Sequence, residues 1–142
     1  MARRLVAAAV IAIGAGAARG WAAEAAEPAV RPLPNAHSHN DYEQPRPLLD
    51  ALDQGFCSLE ADVFLVGAEL LVGHTSLSLR RGRTLESLYL APLAQRAREN
   101  GGRVYRDGPP VTLLVDFKTD GAALYAALRP LLRKYGDVLT SF

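Results

Sequence analysis

The chain holds a single cysteine in 142 residues, which excludes an internal disulfide framework and any metal site built on thiolates. That residue, Cys57, sits in the apolar stretch Phe56-Cys57-Ser58-Leu59 and reads as a small core side chain. Lysine is scarce as well, at Lys118 and Lys134 alone, and 16 basic against 15 acidic residues leave a formal charge of +1. Without a basic face the chain lacks the electrostatic footprint of a nucleic-acid binder. Its longest uncharged run, Leu5 to Ala18, has 14 residues, short of the roughly 20 needed to span a bilayer. A stable membrane span and a nucleic-acid partner are therefore not expected. What remains, 49% hydrophobic and 22% charged residues, is the make-up of one globular domain rather than a disordered chain.

Alanine is concentrated at the start, with 13 of the 24 within the first 30 residues. Arg3 and Arg4 precede the uncharged run, and Ala23-Glu24-Ala25 fits a small-residue cleavage site, so residues 1–25 read as a secretory signal. Its removal would leave a near-neutral, exported chain over residues 26–142.

Hydrophobic period and turn residues order the rest. Leu33 to His37 is expected as a strand. Pro45-Arg46-Pro47 opens a helix carrying Leu48, Leu49 and Leu52, with Gly55 as its stop. Phe56 to Phe64 and Glu69 to Val72 are strands joined by a Gly67-Ala68 turn. A basic loop follows from Arg80 to Arg83, then a helix capped by Thr84 and broken or restarted at Pro92. Val111 to Phe117 has the continuous apolar character of a buried parallel strand, and Gly121 to Tyr135 is helical in spite of Pro130. This alternation predicts an α/β fold with a mainly parallel sheet.

Polar residues fall at the strand ends. His37 and His39 close the first strand, Glu60 and Asp62 interrupt the second, His74 follows the third, and Asp116 and Lys118 end the fourth. In α/β sheets such positions converge on a site. Glu60 and Asp62 are two apart, so both carboxylates share one strand face while Leu59, Ala61 and Val63 take the other. Two acids side by side repel unless something positive lies between them. A hard divalent cation, Mg²⁺ or Ca²⁺, would serve, and two separate salt bridges are the alternative. The apolar flank of Asp116 argues against a solvated position, and Lys118 could pair with it or with a substrate phosphate. Among the histidines, His37 and His74 rank ahead of His39 as functional groups.

A strand-end His, an E-x-D some two dozen residues on and a second His about a dozen further resemble the PLC-like phosphodiesterase superfamily, which includes glycerophosphodiester phosphodiesterases and sphingomyelinase D enzymes. Three stretches are closer still to the altered-inheritance-of-mitochondria protein 6-like group. They are Asn35-Ala36-His37-Ser38-His39-Asn40-Asp41-Tyr42 followed by Arg46-Pro47-Leu48-Leu49-Asp50-Ala51-Leu52, then Arg83-Thr84-Leu85-Glu86-Ser87-Leu88-Tyr89-Leu90, and Leu113-Leu114-Val115-Asp116-Phe117-Lys118. The resemblance implies a (β/α)₈ barrel of the TIM type. It implies His37 and His74 as catalytic histidines, Glu60 and Asp62 as metal ligands, and Asp116 and Lys118 in place of an E-x-K pair. The H-R-G and E-N-T motifs of glycerophosphodiesterases are replaced here by His37-Ser38-His39 and the Asp41-Tyr42-Glu43 region. A full barrel takes about 250 residues, so about four strands, the N-terminal part of one, are expected.

The function expected is hydrolysis of a lipid-derived or glycerol-type phosphodiester. A divalent metal on Glu60, Asp62 and Asp116 would neutralise the phosphoryl oxygens. His37 would act as base or nucleophile, His74 as acid, and Lys118 as a further positive charge. Two rival readings use the same residues differently. An amidohydrolase-type metal hydrolase would start from His37-x-His39 but leave Glu60 and Asp62 idle. A non-catalytic exported module would use the acids to hold structural Ca²⁺.

Overall fold

A computed structural model describes residues 30–140, so the expected leader over 1–25 lies outside the described residues. The elements are strand β1 (Leu33–Ser38), helix α1 (Leu49–Asp53), strands β2 (Phe56–Val66) and β3 (Glu69–Val72), helix α2 (Ala91–Glu99), strand β4 (Thr112–Phe117) and helix α3 (Gly121–Lys134). The chain is α/β, as its alternating pattern predicts.

β2 is the spine of the sheet. β1 and β4 run parallel to it, and β3 folds back antiparallel against its second half. Leu59 pairs with both Ser38 and Leu113, and Val63 with both Val72 and Phe117. A strand has only two edges, so β1 and β3 share one and β4 takes the other. The sheet is not closed: among the described residues β4 pairs with β2 alone.

The two faces of the sheet differ sharply. Leu59, Ala61 and Val63 are 0% exposed and join Leu85, Tyr89 and Leu124 in the core beneath the helices. Burying Leu59 and Val63 stabilises the fold by about 1.5–3 kcal/mol each. The opposite face carries Ser58, Glu60 and Asp62 on β2, with Thr112, Leu114 and Asp116 on β4. Leu114 is 50% exposed there, whereas the loop after β1 covers Asp62, which is 1% exposed. This corrects two expectations. β4 alternates instead of being buried throughout, and the Asp116 side chain is 46% exposed in spite of its apolar flank.

α1 starts at Leu49 rather than at Pro45. Leu48 adopts φ 64°, outside the helical region, and its N–H donates to Asp41 Oδ2 at 2.8 Å instead of entering a helix. Such a conformation in a non-glycine residue costs about 1–3 kcal/mol and persists only where surrounding contacts enforce it. Gly55 ends the segment at φ +89°, where an added Cβ would lie 2.3 Å from the Arg31 carbonyl oxygen, so only glycine fits.

Thr84 caps its helix as expected: the Ser87 N–H donates to Thr84 Oγ1 at 3.0 Å, and the Thr84 N–H donates to Ser87 Oγ at 3.0 Å. Pro92 does not break the helix. Residues Glu86–Leu90 form a wider π turn, in which the Ala91 N–H reaches the Glu86 carbonyl, and α2 restarts with the proline in its first turn. α3 continues through Pro130 and is capped by Asp120, whose carboxylate accepts from the Ala123 N–H at 2.8 Å.

Candidate active site

The open face of the sheet gathers the residues singled out from the sequence. Glu60, Asp62 and Asp116 each offer a carboxylate oxygen, and these oxygens lie within 4.8 Å of one another. The cause is register: Asp62 pairs directly with Asp116 across the parallel ladder, and Glu60 sits two residues earlier on the same face. Lys118 stands beside them, with Nζ 2.6 Å from Asp116 Oδ2 and 3.2 Å from Asp62 Oδ1. Asp116 first and then Asp62 raise the pKa of its ammonium above the ordinary lysine value.

The histidines arrive by two routes. His37 and His39 come from the end of β1, parallel to β2. His37 Nδ1 is 2.8 Å from Ser58 Oγ, and its Nε2 is 3.8 Å from Glu60 Oε2. His39 Nε2 is closer to that oxygen, at 3.1 Å, although its spacing ranked it below His37. His74 is not carried by a parallel strand. The β2–β3 hairpin returns it to the site: Val63 pairs with Val72, the Gly73 N–H donates to the Asp62 carbonyl at 3.2 Å, and His74 Nδ1 lies 3.2 Å from Asp62 Oδ2. An added Cβ on Gly73 would meet Ser78 Oγ at 2.9 Å, so this turn is tight as well.

Sequence reasoning missed the loop after β1. Tyr42 is 2% exposed, and its hydroxyl donates to Asp62 Oδ2 at 2.8 Å, with Asn40 Oδ1 also at 2.8 Å. Burial, then the hydrogen bond to Asp62, push this phenol far above its usual pKa, so it serves as a fixed donor. Asp41 anchors the loop. It is 2% exposed and accepts from the Leu48 N–H and from the Tyr89 hydroxyl, which binds it to the helical layer. Burial raises its pKa, partly offset by those hydrogen bonds. Arg83 donates to the Tyr42 carbonyl from the far side. Ser58, also missed, was within reach of the alternation rule, being two residues before Glu60. The Asp41 and Arg83 contacts depend on chain segments that sequence spacing does not relate.

The donor set fits a hard cation. All three groups are carboxylates, and oxygens on opposite sides of a Ca²⁺ ion, at about 2.4 Å each, would be about 4.8 Å apart. Mg²⁺, with bonds of about 2.1 Å, would draw them closer. Lys118 already pairs with two of the three carboxylates. No helix among the described residues is long and apolar enough to cross a membrane.

The sequence profile of the AIM6-like phosphodiesterase domain matches residues 26–138. The chain is 41% identical over 120 residues to altered inheritance of mitochondria protein 6 of Lachancea thermotolerans, covering 74% of this chain and 28% of that one. It is 36% identical over 104 residues to the protein of the same name from Eremothecium gossypii, covering 72% and 27%. A homolog from Arthroderma benhamiae is 36% identical over 123 residues, covering 70% and 39%. The matched region thus spans between about a quarter and two fifths of these relatives. No solved structure matches the chain.

Proposed function

The chain belongs to the AIM6-like phosphodiesterase domain family, and from that premise we propose that its open-face cluster is the centre of a metal-dependent phosphoric diester hydrolase acting on a lipid-derived or glycerol-type phosphodiester. The observation that carries this reading is the convergence of three carboxylate oxygens within 4.8 Å, flanked by imidazoles on two sides. The sheet is read as the first part of a (β/α)₈ barrel, and the chain as exported once residues 1–25 are removed.

Glu60, Asp62 and Asp116 would hold the ion, Mg²⁺ or Ca²⁺. When bound, a divalent ion supplies positive charge against the phosphoryl oxygens and orients the ester. His74 is built as a proton donor. Asp62 orients the ring through Nδ1, and Nε2 would deliver a proton to the departing oxygen. His37 works on the other side, with Nδ1 set by Ser58 and Nε2, 3.8 Å from Glu60 Oε2, placed to take a proton or attack. Lys118 would neutralise charge gathering on the phosphoryl group. Tyr42 positions Asp62, and through it His74.

Hydrolysis of bis(p-nitrophenyl) phosphate and of an alkyl phosphodiester, with and without Mg²⁺ or Ca²⁺, tests the reading. His74→Ala should lower the alkyl rate by about 10²–10⁴-fold while largely sparing the nitrophenyl ester, whose leaving group needs little protonation. His37→Ala should slow both. No divalent-dependent hydrolysis in the wild type, or equal rates in all three proteins, would favour the module with structural Ca²⁺.

A further inference from the structure

Beside His74 a cleft of about 410 Å³ is lined by Tyr42, Glu43, Gly73, His74, Arg80 and Arg83 among others. The two arginines come from the basic loop, to which the catalytic reading gives no task. Their placement is fixed by the backbone. The Val72 N–H donates to the Arg83 carbonyl at 2.9 Å, which ties Arg83 to the strand that leads into His74. The Arg83 N–H donates to the Arg80 carbonyl at 3.2 Å, closing the turn that brings the second arginine round.

Each guanidinium is held by main-chain carbonyls rather than by an acid. Arg80 Nη1 donates to the Leu79 carbonyl at 3.0 Å and the Leu77 carbonyl at 3.2 Å, and Arg83 Nη2 donates to the Tyr42 carbonyl. The arginine ion pairs among the described residues belong to Arg46, Arg96 and Arg98. Glu43 also lines the cleft, but forms no ion pair with either arginine. Two pre-oriented cations with unused N–H groups therefore face one concave space.

We propose that this cleft is a phosphate subsite, in which Arg80 and Arg83 receive a terminal phosphate carried on the alcohol half of the substrate. Two guanidiniums match a dianion in charge, and each presents the planar fork that engages phosphate oxygens in pairs. His74 lies between the acid cluster and the cleft, so an alcohol that it protonates departs into that space. Assigning the bound group to the substrate's leaving half rests on the phosphodiesterase reading above, whereas phosphate binding by the cleft does not.

The test is a calorimetric titration of the metal-free full chain at low salt with glycerol 2-phosphate, and with glycerate as the carboxylate arm. Wild type should bind glycerol 2-phosphate saturably, and glycerate at least about tenfold more weakly. Arg80→Gln keeps an amide donor for the loop carbonyls but removes the charge. It should weaken phosphate binding at least about tenfold, the worth of a charge-assisted hydrogen bond. Arg80→Lys should recover part of that loss. Arg83→Lys, which keeps a donor for the Tyr42 carbonyl, should weaken binding less than Arg80→Gln.

Two results would overturn the subsite: no binding by the wild type, or equal affinity in Arg80→Gln. Equally tight glycerate would overturn the choice of phosphate. The titration reads no hydrolysis. A chain that binds glycerol 2-phosphate through Arg80 but cleaves no diester would sink the phosphodiesterase reading and leave the subsite standing. Cleavage without binding would do the reverse.

Discussion

Tyr42→Phe removes one oxygen from a wholly buried ring and so isolates the bond that ties the loop after β1 to the acid cluster. The hydroxyl donates to Asp62 Oδ2 at 2.8 Å, and the Asp62 side chain is 2% exposed. A hydrogen bond to a charged acceptor contributes about 1.5–3 kcal/mol. Asp62 is not left bare, because His74 Nδ1 stays 3.2 Å from the same oxygen and Lys118 Nζ 3.2 Å from the other. The loss should therefore lie near the lower end, about 1.5–2 kcal/mol. With a urea slope of about 1–3 kcal/mol per molar, the midpoint should fall by about 0.5–2 M. The decisive form is a double-mutant cycle: in an Asp62→Ala background, Tyr42→Phe should cost less than about 0.5 kcal/mol, because the partner has gone. Equal costs in both backgrounds would refute a direct Tyr42–Asp62 interaction.

Two further outcomes follow from charges elsewhere in the fold. Burial raises the folded-state pKa of Asp41 above its unfolded value, so the native state holds that proton more tightly. Its contribution to stability is fully present below the unfolded pKa and is lost as pH rises through the raised folded pKa. Asp41→Asn should flatten this part of the profile, seen as the difference between wild-type and variant melts from about pH 4 upward; a difference that stays constant as pH rises would contradict it. Lys118→Met removes the ammonium 2.6 Å from Asp116 and 3.2 Å from Asp62. It should tighten Ca²⁺ or Mg²⁺ binding, since a competing cation is gone, while slowing hydrolysis; weaker binding would show Lys118 supporting the ion site instead.

Much of this was legible because local rules and packing agree. The E-x-D alternation put Glu60 and Asp62 on one face, and the order of strands and helices followed from period and turn residues. Asp116 was misjudged because its apolar flank resembles burial on both faces, whereas Leu113 and Val115 pack inward and Leu114 and Asp116 look outward. Pro45 and Pro47 suit a first helical turn, yet Leu48, at φ 64° with its N–H bonded to Asp41, delays α1 to Leu49. That bond joins residues seven apart through a buried carboxylate also held by Tyr89, far along the chain, and no spacing rule shows it. Tyr42 was hidden for the same reason: its role depends on a strand that begins 14 residues later.

The central claim is that Glu60, Asp62 and Asp116 form one ion site on the open sheet face. Calorimetric titration of Ca²⁺ and Mg²⁺ into the metal-free chain tests it most directly, with Glu60→Gln and Asp62→Asn as near-isosteric variants that each remove one charge. The account predicts saturable binding of at least one ion by the wild type, lost in both variants while their folded structure is retained. A wild type that binds neither ion, or variants that bind as tightly as the wild type, would contradict it.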